Sequence, residues 1–352
     1  MSLQDKNIAM LYYGEQPHPA HTGFADAIGA DFICCNPRSD GSKIDSPLNE
    51  FFNGFSLPDY DIYITEGSRP LYSGIAATIF SDSNLIYLGG DHRLRELSLG
   101  GFPNQAQTDT RYLRTRSKIL QFLCQHFIDG AIAVSADSAT FLQQLFGSPS
   151  TVRTAKPYVQ RDVFKSLSTL STDLESKKVA VIASANRGNV GDYKGIDMLV
   201  DSWPDVRNHF PDLKLEIVGK GHQAKHENTE GVRVKGYVED LDTVFESIGL
   251  YVQPSRLEVF GVSVIESMVA GVPPLVTETT GASSELKGIE PALVVDPNPE
   301  SIASGIVQYF DRTVAERENI AKECREYAMS FSPDVRTKIF HEEFKSLIDE
   351  IQ

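Results

Sequence analysis

The chain has 352 residues, carries a formal net charge of −15, and is 41% hydrophobic and 23% charged. A chain of this length holds two domains with cores of their own, and the composition excludes fibrous, low-complexity and extensively disordered classes. The acidic balance argues against nucleic acid as a partner, because phosphate contacts need a dense basic surface.

Cys34, Cys35, Cys124 and Cys324 show neither a Cys-x-x-Cys spacing nor an accompanying His pair, so no zinc site and no disulfide framework is expected. The start MSLQDKNIAMLYYG lacks a basic segment leading into an apolar run, and no stretch approaches ~18 consecutive apolar residues. The expectation is a cytoplasmic protein, either free or held at the inner face of the membrane.

Short apolar runs rich in β-branched residues alternate with longer helical patterns, which is how a parallel sheet covered by helices reads in sequence. In chain order, the first half predicts strands at 7–13, 31–35, 61–65, 85–89, 131–135 and 152–155, with a clear helix over 111–127. That helix, RYLRTRSKILQFLCQHF, joins Arg111, Arg114, Arg116 and Lys118 to an apolar set. Two readings of it stand: a helix packed on its sheet with a basic outer rim, which is favoured, and peripheral contact with an anionic membrane.

The stretch SLSTLSTDLESKK is small, polar and aperiodic, and residues 166–177 read as a linker. A second strand series follows at 178–184, 213–219, 232–236, 250–254, 273–277 and 292–296, then a helix over 313–329. After Ser332-Pro333, the last segment is an amphipathic helix with Ile339, Phe340, Phe344, Leu347 and Ile348 on one side. The expected organisation is thus an α/β domain over 1–165, the linker, a second α/β domain over 178–330, and a final helix over 331–352 crossing back to the first. Two such sheets facing each other across a cleft would bind ligands at the carboxyl ends of their strands.

One stretch concentrates candidate chemistry. SRLEVFGVSVIESMVAGVPP places Glu258 and Glu266 eight positions apart. The spacing alone says little, since Glu318/Glu326 and Glu342/Glu350 repeat it on charged helix faces. The context says more: a strand ends at Pro254-Ser255, Phe260-Gly261 makes a turn, and a helical run stops at Gly271-Val-Pro-Pro. Amides at that helix start lack carbonyl partners and can seat a phosphate, Gly261 permits close approach, and a carboxylate on each side can accept hydrogen bonds from sugar hydroxyls. The plainer alternative is one loop carboxylate and one helix carboxylate.

The stretch PSRLEVFGVSVIESMVAGVPPLVTETTGASSEL resembles the signature of the retaining, nucleotide-sugar-dependent family 4 glycosyltransferases, also called group 1. Upstream, SANRGNVGDYKGIDMLVDSW is similar to that family's basic pair, and LEIVGKGHQ to its Gly-x-Gly nucleotide loop. The resemblance is good from about 178 to 295 and weaker in the first half. It implies a GT-B fold and transfer of a sugar, with retention and without a metal, from a UDP- or GDP-sugar to a glycan, lipid-linked or small-molecule acceptor. It implies further that Glu258 contacts the donor sugar and Glu266 the ribose, that Arg187 and Lys194 hold the diphosphate, and that the amides of Phe260, Gly261 and Val262 hold its distal phosphate. His92 would face the donor sugar, and Gly219, Gly221 and Val238 would line the nucleotide. Gly14 would stand in for a first-loop glycine pair that YYGEQPHPAHTGF lacks.

Two Asp-x-Asp segments, Asp59-Tyr-Asp61 and Asp240-Leu-Asp242, imitate a metal motif but read as a strand start and a helix cap. Two rival functions remain open: another enzyme on the same fold, such as a nucleotide-sugar epimerase or a sugar phosphorylase, and a non-catalytic nucleotide-sugar-binding module.

Overall fold

The computed structural model describes residues 3–35, 47–89, 110–147, 151–184, 193–222 and 224–352. The chain forms two compact units, residues 1–158 with 333–352, and residues 159–332.

In the first unit the strands are β1 (Ile8–Tyr12), β2 (Asp31–Cys34), β3 (Ile62–Glu66), β4 (Asn84–Gly89), β5 (Gly130–Ala133) and β6 (Val152–Thr154). They lie side by side in the order β2-β1-β3-β4-β5-β6, each pair parallel. Ile8, Ala9, Met10 and Leu11 are all buried, as are Leu85 to Leu88. Helices on both faces explain why these strands read as continuous apolar runs instead of alternating ones.

The helix Pro333–Ile351 belongs to this unit. Phe340 stacks on Phe24 with ring centroids 4.2 Å apart, and Phe344, Leu347 and Ile348 are buried in the same core, while Ile339 is only half-buried. The helix Thr110–Phe127 buries Leu120 and Cys124 and exposes Ile119 and Phe122. The side chains of Arg111, Arg114 and Arg116 lie outside the described residues. No helix among the described residues is long and apolar enough to cross a membrane.

The second unit holds β7 (Lys178–Ile182), β8 (Lys214–Val218), β9 (Val232–Gly236), β10 (Leu250–Gln253), β11 (Pro274–Thr277) and β12 (Val294–Val295). Their order is β12-β11-β10-β7-β8-β9, again all parallel. Residues 166–177 lie inside this unit, where Ser176 Oγ donates to the Ser247 carbonyl and Thr172 Oγ1 to that of Gly271. The helix Val314–Ala328 opens with a capping box between Thr313 and Glu316. Each sheet therefore has one place where the chain, having built outward on one side, returns to the other: between β1 and β3 in the first unit, and between β7 and β10 in the second. Open parallel sheets bind ligands at such a switch point, outside the carboxyl ends of the strands.

Candidate functional site

The second unit's switch point gathers most of the expected site residues. Lys194 follows β7, and its Nζ donates to a carboxylate oxygen of Glu258, which follows β10. Both side chains are mostly buried, so the pair is shielded more than a surface ion pair would be. The loop carrying Glu258 is fixed from three directions. The Arg256 N–H donates to the Tyr193 carbonyl at 2.8 Å, the Arg256 guanidinium grips Asp197 through two bonds of 2.6 and 2.7 Å, and the Gly281 N–H donates to the Glu258 carbonyl at 2.8 Å. A bidentate clasp of this kind sets orientation as well as distance.

Glycines let the backbones meet. A Cβ on Gly195 would lie 1.8 Å from the Pro254 carbonyl oxygen, one on Gly219 1.8 Å from that of Ala183, and one on Gly281 1.9 Å from that of Val259. Any side chain at these three positions would collide with backbone, so the loops after β7, β8, β10 and β11 close up only because the side chain is missing.

Gly261 caps the helix Val262–Ala270 with φ 92°, a left-handed conformation that glycine takes without strain. Among the described residues, the N–H groups of Phe260, Gly261 and Val262 donate to no carbonyl or side chain. The first turn thus offers open donors at the positive end of the helix. The Phe260 ring itself is core, packed near Phe331.

Glu266 lies one turn into this helix and is half-buried. It has no hydrogen bond or ion pair among the described residues. Burial pushes its carboxyl up to about 7, because removal from water disfavours the charged form. Beneath it, the Tyr251 hydroxyl donates to Gln253 and lies 2.9 Å from Ser263 Oγ, while Gln253 Nε2 donates to Ser255 Oγ at 2.7 Å. This buried polar ladder fixes the strand end from which the Glu258 loop departs.

Gly219 and Gly221 have φ of 145° and 81°. Between them, Lys220 donates its N–H to Ser184 Oγ and holds its ammonium 4.2 Å from the centroid of the exposed Tyr237 ring. His222 Nε2 pairs with the Ala183 carbonyl, a contact the sequence reading did not single out. Val238 is half-buried in the loop after β9. Arg187 and His92 lie outside the described residues. Gly14 follows β1 in the first unit, with φ 129° and its carbonyl 3.4 Å from Cys34 Sγ.

Of the two Asp-x-Asp segments, the first directly precedes β3, whereas the helix Asp242–Phe245 has Leu241 as its cap and no side-chain capping bond, so the expected aspartate cap is absent there. Asp61 accepts the Asn7 N–H at 2.8 Å, Asp240 accepts the Asp242 N–H at 3.1 Å, and Asp242 accepts from the Ser166 hydroxyl. Asp197, which clasps Arg256, was also missed. Its signal is only that an acid directly follows a Lys-Gly-Ile helix start, which does not name a partner 59 positions away. A cavity of about 720 Å³ lies at the other end of the Val262–Ala270 helix, beside Gly271 and Arg325, and contains none of the expected site residues.

Residues 174–328 match the family model of glycosyl transferases group 1. A Haemophilus influenzae protein described as an uncharacterized glycosyltransferase is 26% identical over 247 residues, which cover 67% of this chain and 61% of that protein. The chain therefore spans under two thirds of that relative's length. Among solved structures, sucrose-phosphate synthase from Thermosynechococcus elongatus superposes with a TM-score of 0.75 at 16% identity, covering 98% of this chain and 100% of its own. Anabaena HepE, solved with UDP and glucose, superposes with a TM-score of 0.70 at 16% identity, covering 97% and 100%. The two parallel six-stranded sheets and their helices are the GT-B fold that these structures share.

Proposed function

We propose, from the match of residues 174–328 to the family model of glycosyl transferases group 1, that the chain is a retaining, metal-independent glycosyltransferase of the family 4 type. It moves a sugar from a UDP- or GDP-sugar to a hydroxyl of a glycan, lipid-linked or small-molecule acceptor. The observation that carries this reading is the grouping at the second switch point: the Lys194–Glu258 pair, the amides of Phe260 to Val262, and Glu266 one turn further on, the last two without a hydrogen-bond partner among the described residues.

In this reading the second unit binds the donor. The diphosphate takes the amides of Phe260, Gly261 and Val262 together with Lys194 and Arg187. Those donors and cations stabilise the negative charge that grows on the leaving nucleoside diphosphate, which is the usual largest source of catalysis where charge develops in a closed site. That supply of positive charge from the chain itself is what supports a metal-independent reaction. Glu258, released from Lys194 by the incoming diphosphate, accepts hydrogen bonds from the donor sugar's hydroxyls. Glu266 accepts them from the ribose, Gly219, Gly221 and Val238 line the nucleotide, His92 faces the donor sugar, and the first unit, with Gly14, takes the acceptor. The acceptor oxygen bonds to the anomeric carbon as the carbon–oxygen bond to phosphate breaks. The electron pair leaves with the diphosphate, which takes the acceptor's proton on the same face.

HepE, solved with UDP and glucose, supports a UDP-sugar as the first donor to try. The test is incubation of the full chain with UDP-glucose or GDP-mannose and a panel of glycosides, reading the anomeric proton coupling of the product with and without EDTA. The reading expects an axial donor linkage to be kept and EDTA to leave the rate unchanged. An inverted product, or a reaction abolished by EDTA and restored by magnesium, contradicts it. Donor turnover with no acceptor present would favour the epimerase or phosphorylase alternative.

A further inference from the structure

The first unit has a switch point of its own, between β1 and β3, and titratable side chains meet there that no role above uses. His18 and His21 open the helix Pro19–Ile28 directly after β1, and Glu66 ends β3. His21 Nδ1 lies 2.6 Å from Glu66 Oε1, with both side chains about nine-tenths buried at 11% and 9% exposure. The same carboxylate oxygen accepts the His18 N–H at 2.8 Å. An ionised carboxylate only accepts, so Glu66 holds the proton of neutral His21 on Nδ1 and leaves Nε2 as an acceptor.

The His18 ring is held in the opposite tautomer. Its Nδ1 accepts the Ala20 N–H at 3.2 Å as the cap of the helix, so its hydrogen is on Nε2. The two rings sit with centroids 5.2 Å apart. Neither Nε2 is among the buried polar atoms without a partner, and neither has a hydrogen-bond partner among the described residues. The result is one donor and one acceptor side by side, each fixed by a second bond behind it, at the carboxyl end of a parallel sheet where its strand order reverses. The His21 ring lies nearly parallel to that of Phe24, with centroids 6.4 Å apart.

We infer that His18 and His21, the latter positioned by Glu66, form a site for neighbouring hydroxyls of a sugar or polyol: His18 Nε2–H donates to one hydroxyl oxygen and His21 Nε2 accepts from the next. Hydroxyls that both donate and accept match this alternation, whereas a carboxylate or phosphate would find only one suitable partner. The inference rests on the proposed transfer to a hydroxyl and makes this pair the point at which the acceptor is gripped.

The test uses the full chain with nitrogen-15-labelled imidazoles, titrated with methyl glucoside, methyl mannoside and methyl N-acetylglucosaminide in the absence of nucleotide. At least one glycoside is expected to shift the Nε2 signals of both His18 and His21. In transfer assays, His21→Ala should raise the acceptor KM by at least about 10-fold, the scale of one lost hydrogen bond with its partner left unpaired, and leave kcat and the donor KM near their parental values. His21→Gln, which keeps an acceptor oxygen, should recover most of the loss. Glu66→Gln should give a smaller rise by freeing the tautomer. If no glycoside moves either imidazole, or if His21→Ala leaves acceptor KM within about twofold, the inference is overturned. Failure of the donor reading is seen separately, as the absence of any nucleotide-sugar effect on the melting temperature, while the imidazole titration still reads the first unit.

Discussion

Lys194 and Glu258 stand 64 positions apart in sequence and meet as a mostly buried ion pair across the point where the second sheet reverses its strand order. The lysine belongs to the turn before the Gly195 helix start and the glutamate to the turn before Gly261. A site that binds a diphosphate and a sugar needs a cation and a hydroxyl acceptor close together, and here the two pair with one another. Removing one partner should therefore affect binding and stability differently.

Lys194→Ala should weaken binding of the nucleoside diphosphate by about 10- to 100-fold, corresponding to the ~1.5–3 kcal/mol of a charge-assisted hydrogen bond. Glu258→Ala should spare nucleotide binding and reduce transfer instead. Calorimetric titration with UDP and GDP beside initial transfer rates separates the two. Equal losses of nucleotide affinity in both variants would undo the division of roles.

Glu266 yields a prediction in pH. Its carboxyl is raised by burial to about 7 from an ordinary 4.5, so between those values the folded protein holds a proton that the unfolded chain has released. Stability contributed at this position is therefore greatest at low pH, declines as pH rises from about 4.5 to about 7, and is level above that. Glu266→Gln should remove this part of the pH slope in denaturant melts. In the proposed reading, ribose recognition by Glu266 runs the other way, because the ionised form accepts hydrogen bonds best. Affinity for a nucleotide sugar, whose doubly esterified diphosphate does not titrate in this range, should rise between about pH 6 and 8 in the parental protein and stay flat in the variant.

The positive-φ glycines give a graded series. Gly29 has φ 67° and open space around its Cβ position, so Gly29→Ala should cost only the backbone strain, about 1–2 kcal/mol. Gly261→Ala should cost a similar amount, since its φ is 92° and its closest neighbour would be 3.3 Å away, and should also weaken phosphate binding by shifting the amides. Gly195→Ala drives a methyl group to 1.8 Å from the Pro254 carbonyl oxygen and should cost more than either. Thermal melts of the three variants check the order, and a Gly195→Ala protein as stable as Gly29→Ala would contradict the account of the close approach.

Much of this architecture was legible before the structure. The twelve strands among the described residues fall where apolar β-branched runs lie between turn residues, because strands buried on both faces need unbroken apolar sequence. The turn at Phe260-Gly261 and the carboxylates on either side of it were also readable, since a strand end, a glycine and an amphipathic run follow each other within a dozen residues. What stayed hidden depends on pairings across the fold. Nothing local says that Arg256 will clasp Asp197 or that His21 will find Glu66, 45 positions away, because parallel crossovers set those neighbours and not sequence distance. His222 was hidden for another reason: its partner is a backbone carbonyl, Ala183, which any residue could supply.

In the proposed function, the second unit binds a nucleoside-diphosphate sugar through the Lys194, Glu258 and Glu266 site. The most direct measurement is the melting temperature of the full chain with UDP-, GDP- and ADP-sugars, each in the parental protein and in Glu266→Ala. A ligand held at about 100 times its dissociation constant adds about 2.7 kcal/mol to stability. The account predicts a clear rise with at least one of the three donors, reduced at the same concentration in Glu266→Ala. No rise with any donor, or a rise that Glu266→Ala leaves unchanged, would contradict it.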